Sequence, residues 1–230
     1  MSSTTPSFSQ EQVIHNVGVV RSHIAEICGD AAQSVQLVAV TKNFGLEAWE
    51  WARDAGCDAV GENYAQEALA KVLAADSGKH LPLHFIGHLQ SNKLAQLYGK
   101  VHTWQTIDRE SVILGLAKLY AAHGGAVPSV LLQVNIAAEA QKSGCHPRDV
   151  AKLVELARSS QLHVGGLMAM GPTNGDLAET RQTFRETRKM CNEMGLLECS
   201  AGMSHDYRIA LEEGATMIRV GSAIFGERPQ

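Results

Sequence analysis

Lys42 closes the run Leu37-Val38-Ala39-Val40-Thr41, and an amine set behind apolar residues is partly stripped of water. Desolvation lowers an amine's pKa and makes it a nucleophile toward carbonyl carbon, so Lys42 is a candidate for imine formation. A lysine that only snorkels to solvent would look the same by position. The second candidate is Gly221-Ser222-Ala223-Ile224-Phe225-Gly226, where small residues mark a strand turning into a short helix. Such turns receive phosphate on backbone N–H groups, with Gly202 and Ser204 placed to close the cup, although a plain corner also uses glycine for its dihedrals. Arg219 lies two residues before Gly221, so strand alternation aims both at one face. There the guanidinium could meet a ring nitrogen, or make a rim salt bridge to Glu212, Glu213 or Glu227.

Other candidates at the ends of apolar runs are Glu62 and Asn63, His84 and Gln90, Asp108, Asn135, Met168 and Met170, and Ser200 to Ser204. Two patterns carry less than they suggest. Ser204-His205-Asp206 has the letters of a hydrolase triad, but adjacent side chains diverge where a triad must converge. His84 and His88 stand roughly 13 Å apart if they share a strand, too far to ligate one metal. No metal site is expected.

These residues need a scaffold that brings strand ends together. Apolar runs recur at Leu37 to Lys42, Ala59 to Asn63, His84 to Leu89, Val101 to Ile107, Val130 to Ile136, Val164 to Met170, Leu197 to Met203 and Met217 to Val220. Helical patterns fall between them at Leu46 to Ala55, Ala65 to Leu73, Ser111 to Ala122, Pro147 to Ser159, Leu177 to Met194 and Tyr207 to Glu213. Runs that are nearly all apolar fit strands covered on both faces, and the alternation fits a parallel sheet. The class is therefore α/β. Eight such units approach the length typical of a (β/α)8 barrel, about 250 residues, whose active face lies at the strand C-termini. Ser9-Gln10-Glu11-Gln12 reads as a capping box for an extra N-terminal helix. The expected layout is a flexible segment over residues 1–9 and a single TIM-barrel domain over 10–230.

Composition narrows the partners. The 230 residues are 45% hydrophobic and carry a net charge of -4, with no broad basic face for nucleic acid. Five cysteines form neither a CxxC pair nor an even disulfide framework, which suits a reducing cytosol. The first nine residues lack a targeting signature, and no stretch reaches the roughly 18 apolar residues of a membrane span. A soluble, unprocessed cytoplasmic protein is expected.

Several ordered motifs, spread over Leu37 to Arg228, go further. They are Val38-Ala39-Val40-Thr41-Lys42, Gly61-Glu62-Asn63-Tyr64, His84-Phe85-Ile86-Gly87, Leu89-Gln90-Ser91-Asn92-Lys93, Gln133-Val134-Asn135-Ile136, Lys142-Ser143-Gly144, Gly166-Leu167-Met168-Ala169, Gly202-Met203-Ser204 with Asp206, and Arg219 to Gly226. Together they resemble the pyridoxal phosphate homeostasis proteins, whose barrel is like the N-terminal domain of alanine racemase. The resemblance implies pyridoxal 5′-phosphate (PLP) as cofactor, carried as a Schiff base on Lys42. It also implies a phosphate held by Ser204, Gly221 and Ser222, Arg219 at the pyridine nitrogen, and Asn63 near the ring or its phenolic oxygen. Departures are Thr41 where serine is usual, His88 where proline is frequent, and Ala137-Ala138 in place of a more polar pair; none falls on Lys42, Arg219 or Gly221.

The implied function is PLP binding in vitamin B6 homeostasis without significant amino-acid turnover, and no residue is assigned as catalytic. An arginine at the ring nitrogen stays a donor and weakens the electron sink that carbanion chemistry needs. The expected partners are PLP and, transiently, PLP-dependent apo-enzymes, with the chain a monomer or weak dimer. The alternative is a small PLP-dependent amino-acid racemase using Lys42 on one ring face and Tyr64 or His205 on the other. A third reading is a phosphosugar enzyme in which Lys42 forms an imine with the substrate itself.

Overall fold

The computed structural model describes residues 9–75, 79–139 and 141–226. The chain begins with α1 (Gln10–Cys28) and then alternates β1 (Gln36–Val40), α2 (Glu47–Asp54), β2 (Ala59–Glu62), α3 (Ala65–Ala74), β3 (Leu83–Phe85), α4 (Ser91–Leu97) and β4 (Thr103–Ile107). It continues through α5 (Glu110–His123), β5 (Ser129–Gln133), α6 (Val150–Ser159), β6 (His163–Met168), α7 (Leu177–Glu193), β7 (Glu198–Ser200), α8 (Tyr207–Glu212), β8 (Met217–Val220) and α9 (Ser222–Phe225). The eight strands pair in chain order and close, with β8 parallel to β1 through Val38 opposite Arg219. This is the (β/α)8 barrel expected from the alternation, with its extra N-terminal helix.

Each strand is buried on both faces, for different reasons. Inside the barrel a small cluster of Val38, Ala59, Leu131, Met168 and Met217 fills the space; outside, a continuous core joins the strands to the surrounding helices. The helix α1 starts where Ser9 Oγ accepts the Gln12 N–H at 3.3 Å. It buries Val13, Val17, Val20 and Ile24 in one stripe, each removal from water stabilising by about 1.5–3 kcal/mol. Of the segment 1–9 expected to be flexible, residues 1–8 lie outside the described residues, as does Glu227, while Ser9 is the helix cap.

At the C-terminal rim, strand ends turn sharply. Gly87 follows β3 where a Cβ would sit 1.9 Å from the Asn63 carbonyl oxygen, so only glycine lets the segment after β3 pass so close to the end of β2. Asn43, one residue past Lys42, adopts φ 66°, a left-handed conformation that asparagine accepts more readily than most side chains.

Candidate functional site

A cavity of about 290 Å³ opens at the C-terminal rim, and its walls bring together Lys42, Asn63, Ser204, Arg219, Gly221 and Ser222. These come from the ends of β1, β2, β7 and β8. Val40, Phe44, Ile86, Met168, Met170 and Met203 supply the apolar and polarizable lining. Lys42 is half-buried, two residues past the end of β1, as a nucleophile reachable from a pocket should be.

Arg219 is almost fully buried inside the barrel. Its Nη1 donates to Ser200 Oγ at 2.6 Å and its Nη2 to the Ala169 carbonyl at 2.9 Å. Burial pulls the guanidinium down to about 10, so it remains a cation at neutral pH. The rim salt bridge considered from sequence is not its arrangement among the described residues, because Glu212 and Glu213 are taken by Arg181 and Arg185. Behind Arg219 a polar chain crosses the barrel interior. Ser200 Oγ donates to Gln105 Oε1 at 2.7 Å, and Gln105 Nε2 lies 2.8 Å from His84 Nδ1. Burial and nearby His102 push His84 down to about 4, so its neutral ring accepts the Gln105 N–H.

Just past the end of β8, the Gly221 and Ala223 N–H groups both point at Ser204 Oγ, each at 3.1 Å. Two convergent backbone donors beside a serine hydroxyl are what an anionic oxygen would bind. Asn63 Oδ1 is buried without any hydrogen-bond partner. A buried acceptor left unpaired is costly unless a ligand completes it, so it marks where a donor on a bound molecule belongs.

The other sequence candidates scatter. Glu62 turns outward from β2 and contacts Trp49 of α2 and Lys71 of α3. His84 is inside the barrel rather than at its rim, Asp108 pairs with Arg109, and Asn135 ties its own loop by donating to the Glu139 carbonyl at 2.8 Å. Tyr64 and His205 reach the rim, Tyr64 half exposed over a neighbouring groove and His205 on the cavity wall. Missed from sequence were the Ser200-Gln105-His84 chain and the buried Lys71. Lys71 did leave a signal, since it stands three residues after the buried Ala68, on the stripe of α3 that faces the strands.

The cavity suits a small flat molecule with an anionic tail, an acceptor for Arg219 and a donor for Asn63. PLP, with its phosphate, pyridine nitrogen and phenolic group, carries groups of these kinds.

Comparison with known proteins agrees. The model of the alanine racemase N-terminal domain matches residues 9–229. A pyridoxal phosphate homeostasis protein of Vibrio cholerae is 37% identical over 231 residues, covering 95% of this chain and 96% of the relative. One of Pseudomonas aeruginosa is 36% identical over 225 residues, covering 94% and 96%. Among solved structures, PipY of Synechococcus elongatus with PLP bound superimposes at a TM-score of 0.82 with 32% identity, over 93% of this chain and all of that one. Alanine racemase of Streptomyces lavendulae shares the fold at a TM-score of 0.76 and 18% identity, with 58% of its length covered.

Proposed function

This chain belongs to the alanine racemase N-terminal domain family, among the pyridoxal phosphate homeostasis proteins, and from that premise we propose that it holds PLP covalently on Lys42. It keeps the coenzyme for delivery to apo-enzymes in the cytosol, without significant turnover of amino acids. The observation that carries the reading is convergence: an amine, a buried cation and the Ser204-Gly221-Ser222 turn, whose Ser204 hydroxyl already draws two backbone N–H groups, line one cavity. PipY, with PLP bound in its structure, supports the choice of ligand. Among the described residues no helix is long and apolar enough to cross a membrane.

Each residue has a task. Lys42 adds its nitrogen to the aldehyde carbon and water leaves, so a C=N bond replaces C=O. Ser204, Gly221 and Ser222 hold the phosphate, and Asn63 accepts a hydrogen bond from the ring's edge. When bound, PLP supplies an electron-withdrawing ring, which draws electrons best when its nitrogen is protonated. Arg219 offers that nitrogen a donor that keeps its own proton, which favours storage over carbanion chemistry.

Borohydride reduction of the PLP-loaded protein followed by peptide mapping tests this. The tag is expected on Lys42 and absent in Lys42→Ala. A tag on another lysine, or none, refutes the reading, and steady amino-acid turnover abolished by Lys42→Ala would favour the racemase instead.

A further inference from the structure

The helix α3 places Glu67 and Lys71 one turn apart, so both project from one side of it. They reach the two neighbours of Lys42. Glu67 Oε2 accepts the Asn43 N–H at 3.0 Å, and Lys71 Nζ donates to the Thr41 carbonyl at 2.8 Å and to Glu62 Oε1 at 2.6 Å. Thr41 is held by its side chain as well. Its hydroxyl donates to Glu62 Oε1 at 2.6 Å, while Trp49 Nε1 donates to both of those oxygens at 3.0 Å.

We propose that Glu67, Lys71 and Glu62 form a backbone clamp that aims the Lys42 amine, which makes them positioning residues for the coenzyme link. The inference rests on the reading of Lys42 given above. A buried ion pair is weak as a source of stability, because desolvating two charges offsets their attraction. Here the pair is nearly sealed from water, with side-chain exposures of 7% for Lys71 and 0% for Glu62. Glu62 Oε1 takes three donors while Oε2 takes none, so all of its contacts are concentrated on the one atom that joins Thr41, Trp49 and Lys71. What the pair secures is direction on the Thr41 side of Lys42, while Glu67 holds the Asn43 side. Arg219 and the Ser204-Gly221-Ser222 turn fix the far side of the ligand, so the ligand cannot shift to meet a misplaced lysine. Misplacement by about 1 Å can cost on the order of a hundredfold in rate.

The test compares covalent capture with binding of an aldehyde-free analogue, pyridoxine 5′-phosphate, which uses the same ring and phosphate contacts. The double variant Glu62→Gln/Lys71→Met removes both charges at similar volume, and Glu67→Ala removes the other arm from a more exposed site. The double variant is expected to form the borohydride-trappable link about tenfold more slowly, and Glu67→Ala about threefold more slowly. Both should bind the analogue within about twofold of wild type. Wild-type capture rates in the double variant overturn the clamp, as does an equal loss of analogue binding, which would mean that the residues only maintain the pocket. If the double variant does not fold, Glu67→Ala decides: an unchanged rate overturns the proposal. Wild-type protein that traps no coenzyme on Lys42 while still binding the analogue refutes the underlying reading instead.

Discussion

Lys71 lies outside the barrel wall, between β2 and α3, and meets a carboxylate at 2.6 Å; Arg219 lies inside the wall on β8 and meets a hydroxyl and a carbonyl. Both cations are nearly sealed from water. The outer one is neutralised within the fold, and its neighbours are backbone and other side chains. The inner one is solvated by neutral dipoles, feels Asp206 only through space, and faces a cavity. The difference separates two uses of buried charge. A paired cation can hold a backbone in place, whereas one solvated only by neutral dipoles at a cavity wall keeps its field available to a ligand.

The sharpest way to break this contrast is to remove one partner on each side. Glu62→Leu strands the Lys71 charge in an apolar layer, and urea unfolding should show a loss of about 3–5 kcal/mol. Arg219→Met strands no charge and gives up two hydrogen bonds, so about 1–2 kcal/mol is expected, together with a changed spectrum of the bound coenzyme. Equal losses would show that the inner cation is as structurally committed as the outer one.

The two faces were not equally legible in the sequence. Strand positions were, because a barrel strand buried on both sides leaves an unbroken apolar run. Leu37 to Lys42 overlaps the observed Gln36–Val40, starting one residue later, and the Thr41 N–H still donates to the Gly61 carbonyl at 3.0 Å beyond it. The seven residues of α4 were missed, since Ser91–Leu97 spans barely two turns and shows too little period. At the rim, Lys42, Asn63, Ser204, Arg219, Gly221 and Ser222 could be grouped because parallel strands end on one face. Their roles came from family resemblance, while the cavity supplies their convergence. Glu62 was grouped with Asn63, yet consecutive strand residues face opposite ways and only one can enter the cavity. The chain behind Arg219 was invisible because Gln105 on β4 and Ser200 on β7 are not adjacent strands; their contact depends on closure of the barrel.

That interior chain offers a milder test by pH. His84 is neutral in the fold with a pKa of about 4, against an ordinary value of 6.5. Above pH 6.5 the ring is neutral whether folded or unfolded, and stability does not depend on it. Between 6.5 and 4 the unfolded chain takes up a proton that the fold refuses, so stability falls with acid, by at most about 3 kcal/mol; below 4 this group adds no further loss. Denaturation midpoints at pH 7 and pH 4.5 should therefore differ less in His84→Gln than in wild type. An unchanged pH dependence in the variant would place the acid sensitivity elsewhere and detach His84 from the support of Arg219.

The smallest effect on stability should come from Asn63, next to Glu62 in sequence and on the opposite side of the wall. Its buried Oδ1 has no partner, so Asn63→Ala deletes no side-chain hydrogen bond through that atom and relieves the burial of an unsatisfied acceptor. The melting curve should shift by less than about 0.5 kcal/mol equivalent. Coenzyme affinity should fall by roughly threefold to tenfold, the worth of one hydrogen bond gained only with the ligand present. If Asn63→Ala instead unfolds as readily as Glu62→Leu, then β2 carries structural load on both faces. The cavity side would then not be reserved for a ligand, and the orphaned oxygen would need an explanation within the fold itself.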